Sequence, residues 1–562
     1  MTNEHGDVWV VFNGEIYNYI SLRDGLRHRH HFRSATDTEV LLHVYEDCGD
    51  ALVDVLDGMF AFAIADLRRQ RILLARDPFG IKPLYYALNE RCLTFASELK
   101  PFLFSGETTR EIDVDALNDF FDFFWIPAPR SIFRDVAKLL PAHVLTLDLR
   151  TWQHEVKCYW RPEYRPEFDR SDAFWLSEIA RHLDDSVRAQ MVSDVPLGAF
   201  LSGGIDSSLA TYYAAKFSSS PLTTFTIDFA GGDHSEVSHA NRIAAQLSCN
   251  SVARTLAPAS LAELPRLAAF FDEPFADSSL IPTSLVSRVA REHVTVAISG
   301  DGGDELFAGY RHHTLARKIS CLDWIPPSLA RALFGTLAEA TSPESRVHQW
   351  GRRLALPPDD RRLSLARLPA RGSRIRLLAE DLRHTEEARY WFLKRSVESL
   401  RGLPAVTQAQ FFDLMFYLPS DMLVKVDRAS MACGLEVRVP FLTRSIAELA
   451  FRIPEDKRSS QRELKPLLRR LAATLFGSRH AQRPKSGFSI PRRQWLREAA
   501  SVATEDMILG GHAVRAGYLS KQEVAALFAN IRRGRPSWYD DRSEELFAVL
   551  VFEAWWDQIM IR

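Results

Sequence analysis

Two short stretches combine glycine, serine and aspartate in a way that suits phosphate chemistry. Residues 198–208 read GAFLSGGIDSS and residues 294–310 read VTVAISGDGGDELFAGY. In the first, Gly203 and Gly204 let backbone N–H groups approach phosphate oxygens, a helix N-terminus adds positive potential, and Ser202, Ser207 and Ser208 offer hydroxyls. The lysine of the common nucleotide loop GxxxxGK[ST] is missing, and Asp206 stands among the serines instead. A carboxylate beside a polyphosphate makes sense when a hard cation lies between them, since Mg²⁺ takes one or two carboxylates plus phosphate oxygens. Alone, the stretch reads equally well as a Gly-Gly turn capped by Ser and Asp. The second stretch tips the balance, because Ser299 and Gly300 again follow an apolar run and precede three acids, Asp301, Asp304 and Glu305. Two strand-end loops of this kind can flank one Mg²⁺-polyphosphate from two sides.

Such loops need strands and helices to deliver them. From about 174 to 310, helical patterns alternate with the apolar runs VPLGAFLSGG, LTTFTIDF and VTVAISGDGG, which predicts a parallel sheet with its ligand beyond the strands' carboxyl ends. From 8 to about 104, the short runs VWVVFNG, MFAFAIAD, RILLARD and CLTFASE are broken by turn residues, so this part reads as β-rich. After about 313 the pattern is helical and arginine-rich. Its most basic stretch, 346–376, lacks interleaved aromatics and reads as a solvated helical insertion rather than a nucleic-acid surface.

A chain of 562 residues implies two or more domains. Apolar residues at 46% and charged residues at 25% fit a globular protein, and a net charge of -2 gives no global field for nucleic acid or anionic membrane. Cys48, Cys92, Cys158, Cys249, Cys321 and Cys433 form no CxxC pair, so they suggest neither a disulfide framework nor a zinc site and are read as reduced core thiols. The start MTNEHGDVWV has no signal-peptide pattern, and no run approaches the ~18 apolar residues of a membrane span. A cytoplasmic enzyme is expected.

VPLGAFLSGGIDSS resembles the pyrophosphate loop of the ATP-pyrophosphatase (PP-loop) enzymes. Further ordered blocks make the chain similar to the glutamine-hydrolysing asparagine synthetases: FNGEIYNY (12–19), ATDTEVLL (35–42), LDGMFAFAIAD (56–66), RDPFGIKPLYY (76–86), DEPFADSS (272–279), SGDGGDELFAGY (299–310), LPSDMLVKVDRASMACGLEVRVPFL (418–442) and RPKSGFSIP (483–491). The resemblance implies an α/β protein. A truncated N-terminal Ntn-type α+β sandwich, the glutamine amidotransferase domain (1–160), precedes a PP-loop synthetase domain (171–562) with a Rossmann-like parallel sheet and a helical C-terminal part. It also implies ATP and Mg²⁺: ATP adenylates a carboxylate, L-aspartate first among candidates, pyrophosphate leaves, and ammonia attacks the acyl-adenylate to give amide and AMP. Asp206 and Asp304 would hold the metal, with donors from Ser202, Gly203, Gly204 and Ser207. Leu201, Ile227, Ser299 and Gly300 match positions that cradle adenosine. Lys465 matches a lysine that steadies the adenylating transition state; by periodicity alone it is a solvated helical lysine. Asp301 stands where asparagine synthetases often carry Glu, as a base for ammonia or a contact to the acyl group, and the shorter side chain leaves the acid open.

The resemblance also places the ammonia source in the first domain, which feeds the adenylate through an internal tunnel. Asn13 and Gly14 match the oxyanion-stabilising pair, and Glu15 and Asp37 the residues that hold the glutamine α-amino group; without the family, Asn-Gly-Glu reads only as a turn. The nucleophilic cysteine of an MCGI start and a following HRGPD segment are not in this sequence. Cys48 lies after the FNGEIYNY block on a predicted helix and is rejected as nucleophile, and Thr2 is out of register. Because Asn13, Glu15 and Asp37 remain, a start assigned inside the frame or a truncation is favoured over evolved loss. The chain as written is expected not to hydrolyse glutamine and to leave sheet edges exposed. Lys425, Asp427, Arg428 and Arg438 sit among apolar residues and read as an internal ion network; Thr443 replaces the usual Asp after that block, so one partner of the network differs. Lys485 and Gly487 read as a loop near the phosphates or a surface turn. The expected partners are small molecules, carboxylate acceptor with ammonia or glutamine, without nucleic acid or membrane, and with room for a homodimer. Two other readings stay open: a ligase for another carboxylate (a sugar acid, peptide or β-lactam precursor), and a non-catalytic relative.

Overall fold

The structure is a computed structural model that describes residues 1–561, apart from 107, 230–235, 257, 343–344, 365–373, 385–398, 461–462, 484–489, 500 and 534–540. Lys485 and Gly487 lie outside the described residues.

The N-terminal part forms eight strands: β1 Val8–Ile16, β2 Gly58–Asp66, β3 Arg71–Arg76, β4 Tyr85–Leu88, β5 Leu93–Ala96, β6 Ala137–Lys138, β7 His143–Asp148 and β8 His154–Cys158. They make an antiparallel five-stranded sheet, β1-β2-β3-β7-β8, and a three-stranded sheet, β5-β4-β6. β2 is buried on both faces because side chains alternate along a strand. Phe60, Phe62 and Ile64 face the helices Tyr19–Leu26 and Asp37–Cys48, while Ala61 and Ala63 pack toward Leu84 and Leu139 beneath the smaller sheet. β1 is the outermost strand, and its Trp9 and Val11 are 52% and 64% exposed.

Two expectations change here. Asn13-Gly14-Glu15 is not a turn: the triplet continues β1, opposite Ala61, Phe60 and Met59 of β2. Glycine is required there because a Cβ on Gly14 would overlap the Met59 carbonyl. The six cysteines are free, yet none is fully buried, and Cys48 and Cys321 are exposed at helix ends.

The second sheet is parallel. Its strands β9 Leu197–Phe200, β10 Thr223–Phe229, β11 Asn250–Leu256, β12 Val296–Ile298 and β13 Glu436–Arg438 lie in the order β11-β10-β9-β12-β13. The chain steps outward from β9 to β11 and returns on β9's other side as β12, so the strand order reverses there, where open α/β sheets leave a crevice. β13 arises within the region read as helical, and three residues are too few to show an alternating pattern. Helices Arg346–Leu354 and Pro358–Leu363 occupy the start of the basic stretch.

The block 418–442 joins the two parts. Lys82 Nζ lies 3.1 Å from Asp427, and Arg428 donates to the Ser97 carbonyl at 2.6 Å and stands 3.6 Å from Asp272. Arg438 pairs with Glu436 at 2.7 Å and reaches Glu15 at 3.7 Å. Thr443 makes a helix cap, accepting from the Ile446 N–H at 3.3 Å. Aromatic contacts extend the junction: Phe120 and Phe121 meet Phe552 of the helix Ser543–Trp555, and the Trp555 indole donates to the Asp272 carbonyl at 2.7 Å. Among the described residues no helix is long and apolar enough to cross a membrane.

Candidate active site

A cavity of about 610 Å³ opens at the carboxyl ends of β9, β10 and β12. Leu201, Ser202, Gly203, Gly204, Asp206, Ser207, Ile227, Ser299, Gly300, Asp301, Asp304 and Lys465 all line it. β9 runs directly into the first loop, and Gly204 precedes the helix Ile205–Phe217. Gly203 takes φ +70, and a Cβ there would strike His239. Ser202 Oγ accepts from the Gly204 N–H at 3.2 Å and lies 3.0 Å from Ser207 Oγ. Arg483, which opens the RPKSGFSIP block, lines the cavity and donates to the Gly203 carbonyl at 2.8 Å, occupying an acceptor of the loop.

The second loop docks on the first, backbone against backbone. A Cβ on Gly300 would come within 2.6 Å of the Ser207 nitrogen, and one on Gly303 within 2.7 Å of the Asp206 carboxyl. Gly300→Ala is therefore expected to destabilise the protein by about 1–3 kcal/mol, the usual cost of overpacking, and to weaken ATP binding; chemical denaturation and nucleotide titration check both.

Lys465 completes the junction. It is buried, adopts φ +52 just before the helix Pro466–Phe476, and its ammonium bridges Asp206 and Asp304. Burial acts to lower its pKa, but the two carboxylates outweigh it and raise the group above its ordinary value. A Cβ on Gly309 would collide with both Asp304 and the Lys465 side chain, so glycine there makes room for the bridge.

One wall carries further polar groups. Ser299 Oγ donates to Asp301 at 2.6 Å, and Lys425 donates to Asp277 at 3.0 Å. Burial would raise the Asp277 carboxyl, yet Lys425 and Ser279 bring it down to about 2. Arg492 pairs with Glu544 at 2.9 Å on the same cavity. Tyr310, also lining it, donates to Glu305 at 2.6 Å; burial and the neighbouring Asp304 push Glu305 up to about 7. Arg492 and Glu544 fall outside every sequence pattern, since only folding brings the C-terminal helix to the site.

Asn13, Gly14, Glu15 and Asp37 lie elsewhere. Asp37 accepts from the Ile16 N–H at 3.0 Å, which sets it beside the end of β1, and Asn13 Nδ2 donates to Ser97 at 3.1 Å. Burial, reinforced by Glu436, raises Glu15 to about 7 despite Arg438, and burial raises Asp37. A second cavity, of about 20 Å³, sits on the boundary, enclosed by Arg76, Tyr85 and Lys138 from one part and Pro419, Asp427 and Arg428 from the other.

Comparison with known proteins gives a consistent result. Residues 178–557 match the family model described as asparagine synthase, and residues 1–160 the one described as a glutamine amidotransferase domain. The glutamine-hydrolysing asparagine synthetase 1 of Bacillus subtilis (strain 168) is 33% identical over 561 residues, covering 99% of this chain and 86% of that protein. A putative glutamine-hydrolysing asparagine synthetase of Mycobacterium bovis is 33% identical over 558 residues, covering 97% and 84%. The amidase chyE of Penicillium rubens is 30% identical over 329 residues, covering 55% and 48%.

Proposed function

The chain belongs to the asparagine synthetase family of enzymes, and from that premise we propose that it adenylates a carboxylic acid, L-aspartate first, with ATP and lets ammonia displace AMP to form an amide. The observation that carries this reading is the convergence of Asp206, Asp304 and Lys465 where two serine-glycine loops meet. Two carboxylates aimed at one cationic centre are the donor set a hard divalent ion takes, so the residues fit Mg²⁺. Bound there, Mg²⁺ would neutralise charge on the departing pyrophosphate.

The chain's own groups supply the rest. The N–H groups of Gly203 and Gly204 and the hydroxyls of Ser202 and Ser207 bind phosphate oxygens at the start of the helix Ile205–Phe217. Leu201 and Ile227 give the adenosine an apolar wall. Lys465 carries a positive charge that shifts between carboxylate and phosphoryl oxygen as substrate enters. Asp301, oriented by Ser299, faces the acyl end and accepts a proton as ammonia attacks. Asn13 and Gly14 would stabilise an oxyanion, Glu15 and Asp37 would hold a glutamine amino group, and the small boundary cavity is of a size for ammonia. A cytoplasmic setting, where ATP and aspartate occur together, belongs to the same proposal.

The test is pyrophosphate release by the purified 562-residue chain with ATP and Mg²⁺. Release is expected to depend on aspartate, with amide formed from ammonia. Release indifferent to any added acid would overturn the ligase. One observation favours a second reading: Asp301 is one methylene shorter than the Glu often found there, so another acid fits the pocket, and a panel of carboxylates in the same assay decides between them.

A further inference from the structure

The N-terminal part holds a second cluster able to bind a cation, and we propose that His30, His43 and Glu46 form a Zn²⁺ site. None of the three lines either cavity. The helix Asp37–Cys48 sets His43 and Glu46 three residues apart on one face, and the segment after the helix Tyr19–Leu26 brings His30 over them. Glu46 Oε2 lies 2.8 Å from His43 Nδ1 and 3.6 Å from His30 Nδ1. The two ring centroids are 4.5 Å apart. Ligand atoms around a tetrahedral zinc, with bonds of about 2.0–2.1 Å, stand about 3.3 Å from one another, so small side-chain shifts admit the ion.

The outer shell points the same way. Metal-bound histidines offer their other ring nitrogen to a carboxylate. Here His30 Nε2 lies 2.8 Å from Asp47, while the outward Nε2 of His43 stands 4.0 Å from Glu39, beyond hydrogen-bond reach. Glu46 is itself aimed: its Oε1 accepts from Asn3 Nδ2 at 2.8 Å, which leaves Oε2 facing the rings. Without an ion the arrangement is poorly satisfied. The Nδ1 atoms of His30 and of His43, whose side chain is only 1% exposed, converge on one carboxylate oxygen. The cluster of His312, His313 and Asp413 differs, because His313 accepts from the Tyr310 N–H and meets Asp413 through its other nitrogen. Two imidazoles with one carboxylate select a borderline-soft ion over Mg²⁺, and three protein ligands leave the fourth position to water. The ion would fasten residue 30 to the helix that begins at Asp37.

Co²⁺ and Zn²⁺ titrations of the full chain, stripped with chelator and free of any histidine tag, test the assignment. One Co²⁺ per chain with visible ligand-field absorption, displaced by Zn²⁺, is the expected result. His30→Gln is expected to weaken Zn²⁺ by about a hundredfold and Asp47→Asn by about tenfold, both folding like the parent in chelator, while Asp206→Ala leaves the zinc equivalent unchanged. Absence of a tight equivalent in the parent chain overturns the site. So does His30→Gln binding Zn²⁺ as tightly as the parent, since the ion would then sit elsewhere.

Discussion

Asp206→Ala is expected to slow pyrophosphate release by about 10³-fold, the scale of losing one preorganised group that stabilises transition-state charge. Two effects add. The proposed metal site would keep one carboxylate of two, and Lys465, released from its bridge, would pair with Asp304 alone and compete for that remaining ligand. The fold is expected to survive. Asp206 stands in the first turn of the helix Ile205–Phe217, where a carboxylate contributes about 0.3–1 kcal/mol through the helix dipole. Initial rates beside the thermal midpoint check both halves of the prediction. A variant as active as the parent, or parent adenylation that persists in chelator, would remove Asp206 and Mg²⁺ from the mechanism.

The second large effect concerns stability. Arg428→Met is expected to cost about 3–5 kcal/mol, the usual loss when one partner leaves a buried ion cluster. Arg428 is 5% exposed and Asp272 fully buried. Burial already raises the Asp272 carboxyl, with Arg428 and Lys100 opposing it. Removing the guanidinium also strips a donor from the carbonyl of Ser97, the residue whose hydroxyl meets Asn13. The variant therefore loosens the junction and disturbs the Asn13 side chain together. Denaturant titration followed separately through N-terminal and C-terminal probes is expected to show a first transition at lower denaturant; unchanged, superimposed transitions would show that Arg428 does not hold the parts together.

That the two serine-glycine-aspartate loops meet at one cavity was legible because the pattern recurs after two apolar runs, although either stretch alone also reads as a capped turn. Lys465 was not legible from pattern: the helical periodicity around it predicts solvent, whereas it is buried at the helix start in a left-handed backbone. Only the resemblance singled it out. Asn13-Gly14 carried a hairpin signal that pairing with β2 overrides, since the strand continues through it to Ile16. β13 was invisible because a three-residue strand has no period, and it forms only when β12 is present to pair with. Arg483, Arg492 and Glu544 act through contacts between segments far apart in the chain, which local spacing does not encode.

The glycine-to-backbone docking of the two loops bears on how such a protein can drift. A Cβ on Gly300 would meet the backbone of the first loop, and one on Gly303 or Gly309 the side chains of Asp206, Asp304 and Lys465, so the seam between the loops resists gradual change. Asp277, Lys425, Arg492 and Glu544 reach the cavity as paired side chains on separate segments, so each pair is set by side chains rather than by close backbone packing. On the proposed reading, a new acid would be recruited by altering these side-chain pairs while the tightly packed loops stay fixed, and a lineage would change its product without rebuilding the loops that meet ATP.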